Sequence, residues 1–147
     1  MKKAAFLIVL LAVLSVLSGY LMSRASLVGR AGISLFYKQY RFLKVWWQGA
    51  LVVFIIWLAL FLLQGWLQRK WTGTKNYLLH IIAFAIALAG LYITYFDFRH
   101  TLTHRLLGER FHIGAYLFWI GWMIISLFYL VQPRWAKAEI GTNTPIE

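Results

Sequence analysis

Four stretches of this chain run without a charged side chain: residues 4–23, 45–68, 76–96 and 111–133. Each has about the 20 residues an α-helix needs to cross a hydrocarbon layer of ~30 Å at 1.5 Å per residue. A helix satisfies its own backbone hydrogen bonds, so it is the open-chain element that survives in lipid. The pattern therefore predicts an all-α integral membrane protein, a bundle of four transmembrane helices forming a single domain over residues 1–147.

The connections are polar and mostly short. The longest, between spans one and two, contains a segment at 33–47 with a different periodicity. Ile33, Phe36, Tyr37, Tyr40, Leu43 and Trp47 recur at spacings of three and four. Lys38, Arg41 and Lys44 fall on the other side. Cations opposite aromatics predict a basic amphipathic helix lying at a membrane surface and leading into the second span. Residues 68–75 read as a tight polar turn at Gly73, residues 97–110 as the connection richest in titratable groups, and residues 134–147 as a polar tail.

Composition agrees with lipid as the solvent. Hydrophobic residues make up 62% and charged residues 13%, where a soluble domain is nearer half and a quarter. Aromatics reach 18%, with 8 Trp and 8 Tyr, residues that suit the interface because one end of the ring is polar. The absence of cysteine excludes disulfides, iron–sulfur clusters and Cys-based zinc sites. The net charge of +11 reads as cations flanking spans and meeting anionic lipid, not as a nucleic-acid surface, because no soluble basic domain carries it.

Charge does not settle the topology. Lys and Arg number seven on the N-terminus, second loop and tail, and eight on the first and third loops. The Met-Lys-Lys start followed by an apolar run resembles a signal peptide, but no small-x-small cleavage site precedes Arg24. It reads as an uncleaved anchor in a bacterial inner membrane, with the N-terminus in the cytoplasm.

Helix faces are legible within the spans. In the third, Asn76, His80, Ala83, Ala87, Gly90, Thr94 and Asp97 form one stripe of small and polar residues, opposite Phe84, Leu88, Leu91 and Tyr95. Small residues let membrane helices approach closely, so this stripe is expected to face the bundle. Ala12, Ser15 and Gly19 mark such a side in the first span, and Gly114 and Gly121 in the fourth. Trp57, Gln64 and Gln68 share a face of the second, where a buried Gln64 requires a hydrogen-bond partner.

Candidate chemistry gathers around the third connection. His100 and His104 are four apart, which puts both on one helix face. With His112 and Glu109 they form a possible site for zinc or non-haem iron. Against it, Arg99, Arg105 and Arg110 surround the cluster, and positive charge opposes a cation. Haem b needs two axial histidines at one depth on facing helices. His80 and His112 each lie near the start of their own span, hence at opposite membrane faces, which leaves a haem at the His100/His112 end or shared with another subunit. Arg99, Arg105 and Arg110, with Lys38, Arg41 and Lys44, are equally suited to anionic headgroups or to a quinone carbonyl. His80, about one turn inside its span, is either an intramembrane functional group or a side chain reaching the interface.

No nucleophile–base–orienter arrangement and no phosphate-binding loop occur. The reading that fits four spans, small loops and abundant aromatic surface is a non-catalytic accessory or assembly subunit of a larger membrane complex, with lipids and other membrane subunits as partners. A metal- or haem-binding redox protein and a lipid- or quinone-binding module are the alternatives.

Overall fold

A computed structural model of the chain describes residues 2–24, 45–71, 73–100 and 109–132. They form four helices: α1 (Lys2–Ser23), α2 (Trp46–Lys70), α3 (Thr74–His100) and α4 (Glu109–Val131). All four are long and apolar enough to cross a membrane. At their charged ends the helices overrun the uncharged stretches: α2 takes in Arg69 and Lys70, α3 adds Arg99 and His100, and α4 opens on Glu109. A charge is cheap one turn beyond the hydrocarbon, so the apolar run marks the membrane and not the helix.

Of the amphipathic segment expected at 33–47, residues 33–44 lie outside the described residues. Val45 is extended (φ −103°, ψ 114°), so α2 starts afresh at Trp46. At the other end Trp71 is extended and its N–H caps the Leu67 carbonyl at 2.9 Å. Gly73 takes φ +63°, a left-handed conformation that glycine adopts without steric cost, and the chain reverses there into α3.

The helices do not share the core equally. α4 packs against all three others, α1 also packs along α2, and α3 is held chiefly by α4. Within the apolar core, Trp57, Leu11 and Ile125 are almost wholly enclosed.

Lipid tails are as apolar as leucine, so burying apolar surface does not by itself drive these helices together. Close approach and hydrogen bonds do. Gly19 of α1 sits so tightly on Ala50 and Trp46 of α2 that a Cβ there would overlap their backbone. Ser18 beside it donates to the Gly114 carbonyl of α4 at 2.7 Å. At mid-depth the Trp57 indole lies in the space left by Gly121, and its N–H donates to the Phe118 carbonyl at 3.0 Å. Trp119 makes the matching joint to α3: it rests on Gly90 and donates to Thr94 Oγ1 at 2.9 Å.

The atoms opposing Gly19 are backbone, which no rotamer change can move. Gly19→Ala is therefore expected to destabilise the bundle by about 1–3 kcal/mol, the usual cost of overpacking. Reversible unfolding in mixed detergent–SDS micelles measures this. A loss within a few tenths of a kcal/mol would show that α1 and α2 are not in backbone contact.

Candidate functional site

Two regions concentrate polar chemistry, one near each end of the bundle. The first is where α2 ends, α3 begins and α4 ends. Gln64 stands at its centre. Its Nε2 donates to Ser126 Oγ at 3.1 Å, and its Oε1 lies 3.1 Å from His80 Nδ1. An amide oxygen only accepts, so His80 carries its proton on Nδ1. Gln68, one turn on, donates to the Gln132 carbonyl at 2.9 Å, and Tyr129 OH donates to the Phe61 carbonyl at 2.8 Å. The Tyr129 ring stacks on His80 with centroids 5.3 Å apart.

His80 does not reach the interface. It is fully buried, closed in by Tyr129 and bonded to Gln64. Among the described residues, its Nε2 and the Oδ1 of Asn76, one turn away on the same face, have no hydrogen-bond partner, nor does Trp122 Nε1. Such atoms inside a bundle are costly, which sets this end apart from ordinary apolar packing.

The second region is a cleft of about 640 Å³ between the end of α3 and the start of α4. Phe98 is its floor, with the His112 ring stacked on it at 4.3 Å. Tyr95 and Tyr116, with ring centroids 6.1 Å apart, also line it. Arg99 and Glu109 stand at its mouth, and Ile113 forms its exposed outer edge. The Arg99 guanidinium lies over the Tyr95 ring, 5.1 Å from its centroid. Each charge also faces the favourable end of its own helix dipole, Arg99 in the last turn of α3 and Glu109 in the first of α4.

Of the four candidate metal ligands the structure describes His100, Glu109 and His112. His100 is exposed, stacks on Phe96 at 4.0 Å, and donates through Nδ1 to the Phe96 carbonyl at 2.9 Å. It lines a separate depression of about 560 Å³ with Tyr92 and Asp97, away from Glu109 and His112. Among the described residues no group of three His, Asp or Glu is placed to hold a metal ion. His104, Arg105, Lys38, Arg41 and Lys44 lie outside the described residues, and Arg110 is exposed at the start of α4.

Of the packing residues, Asn76, His80 and Ala87 of α3 and Gly114 and Gly121 of α4 are buried. Ala83, Gly90 and Thr94 are half-buried along the same stripe.

One device escaped the sequence reading. Tyr20/Arg24, Trp66/Lys70 and Tyr95/Arg99 are aromatic–cation pairs four residues apart, each at the C-terminal end of a helix with the cation 5.1 Å from the ring centroid. An aromatic followed four positions later by Lys or Arg, where an apolar run ends, is the signal that would have found them.

With this geometry in view, comparison with family models, curated proteins and solved structures found no match to the chain.

The Gln64 joint links three helices through one side chain. A double-mutant cycle between Gln64→Leu and His80→Phe, which keeps the ring on Tyr129, is expected to give a coupling of about 0.6 kcal/mol and at most ~1.7, the range measured for hydrogen bonds between membrane helices. Additive losses would mean that the two side chains do not interact.

Proposed function

We propose that this protein is a non-catalytic accessory or assembly subunit of a larger complex in a bacterial inner membrane. The observation that carries this reading is the attachment of α3. It is the helix least buried by its own chain, held by α4 along its length and by α2 near one end. Its outer face presents Tyr77, Ile82, Ile86, Tyr92 and Ile93, each at least half exposed. Meanwhile Ser18, Trp57, Gln64, Gln68, Trp119 and Tyr129 spend their polar atoms on holding helices together. Side chains committed to joints support a scaffold role over a catalytic one. A helix with one good neighbour supports a second neighbour from another chain.

Extraction from native membranes in mild detergent is the decisive experiment. The wild type is expected to run as a particle with a reproducible, stoichiometric membrane partner. Ile86→Trp with Ile93→Trp on the exposed face of α3 should release that partner while the chain stays inserted and helical. A wild-type chain that runs alone would overturn the proposal.

The same reading places the N-terminus in the cytoplasm. The chain has no cysteine, so single-cysteine variants report cleanly. Lys3→Cys and Lys75→Cys should label from the cytoplasmic side, and Arg24→Cys and Arg99→Cys from the other. The inverse pattern reverses the orientation. Lys3 and Lys75 labelling from different sides would break the four-span topology itself.

A further inference from the structure

We infer that the cleft between α3 and α4 binds the headgroup of a zwitterionic phospholipid, one carrying a phosphodiester and a primary ammonium. This goes beyond the accessory-subunit reading and does not depend on it.

Depth comes first. α3 has 27 residues, about 40 Å of helix at 1.5 Å per residue, against a hydrocarbon core of ~30 Å. Arg99 is its penultimate residue and Glu109 is the first of α4, so the mouth of the cleft stands at headgroup level. Ile113 is exposed on the outer edge, and through that side acyl chains pass from the cleft into the bilayer.

The lining then selects the headgroup. The Arg99 guanidinium carbon lies 5.1 Å from the Tyr95 ring centroid, a contact that holds the group beside the cleft, and its five N–H groups are donors for an acceptor. That planar fork matches a phosphate. Glu109 stands in the same cleft and does the opposite: it repels an anionic headgroup and attracts an ammonium. Tyr116 adds a second aromatic ring to the lining, which also favours a cation. A neutral quinone would leave both charges unmatched, and a purely anionic lipid would leave Glu109 opposed. A headgroup with one charge of each sign matches the two charges found among the described lining residues.

The test is native mass spectrometry of the full delipidated chain, titrated separately with phosphatidylethanolamine and phosphatidylglycerol. The wild type should prefer phosphatidylethanolamine by about tenfold, the scale of one charge-assisted hydrogen bond. Arg99→Gln should weaken both lipids by a similar factor. Glu109→Gln should abolish the preference and leave phosphatidylglycerol bound at least as well. Both positions are exposed, and an unchanged helical far-UV spectrum verifies the fold. Should Arg99→Gln fail to insert, Arg99→Lys keeps the charge without the fork and should lose part of the affinity.

Wild-type preference for phosphatidylglycerol overturns the inference, as does retention indifferent to both variants. Soluble glycerophosphoethanolamine competing as well as the intact lipid would show a site for a free phosphoester and would overturn the assignment to lipid.

Discussion

Helices surrounded by lipid gain little from hiding apolar surface against one another, and the rest of this structure follows from that constraint. What remains to hold them is contact at short range and hydrogen bonds that lipid cannot supply. The chain meets both needs with the same few residues. Gly19 brings α1 onto the backbone of α2, and Ser18 beside it bonds to α4. Gly121 admits Trp57 so closely that the indole N–H reaches a helix carbonyl, and Gly90 does the same for Trp119 and Thr94. In each case the glycine makes room and its neighbour or the incoming aromatic makes the bond. Tryptophan suits the role because it combines a large packing surface with one donor.

These joints explain why α4 is central and α3 peripheral. α4 offers Gly114 to α1 and Gly121 to α2 from one face, seven residues apart, and Trp119 to α3 from another side. α3 has joints to α4 along its length but meets α2 only near its start, through His80 and Gln64. Fixed at one end to two helices and at the other to one, α3 parts from α2 towards Arg99. The cleft lies on that half of the helix, against α4 alone. The polar joint at one end of the bundle and the open cleft at the other are thus two consequences of how α3 is tied.

Much of the architecture was readable because lipid imposes simple rules. An uncharged run of sufficient length must be a helix, which placed all four spans. The small and polar stripe of α3 announced its inner face, and Gln64 announced its need for a partner. The sequence could not say that Ser126 and His80 would answer that need. Such a pairing depends on the relative depth and rotation of three helices, which the periodicity of each span does not fix. His80 shows the same limit. Counting from the end of the apolar run left it within reach of the interface, yet Tyr129, 49 residues away, closes over it.

The two described histidines that flank the third connection are parted by the aromatics they stack on. His100 and His112 look like neighbours across a short turn, and both side chains do find aromatic partners. Those partners, Phe96 and Phe98, are two residues apart on α3, which turns them about 200° from one another on a helix. One ring is drawn to each side of α3, and the two histidines line separate hollows. Each imidazole thus lies against its own aromatic partner, on its own side of α3. What the arrangement leaves in the cleft is a mixed-charge mouth over an aromatic floor, a surface chemistry that belongs to the boundary between lipid and water.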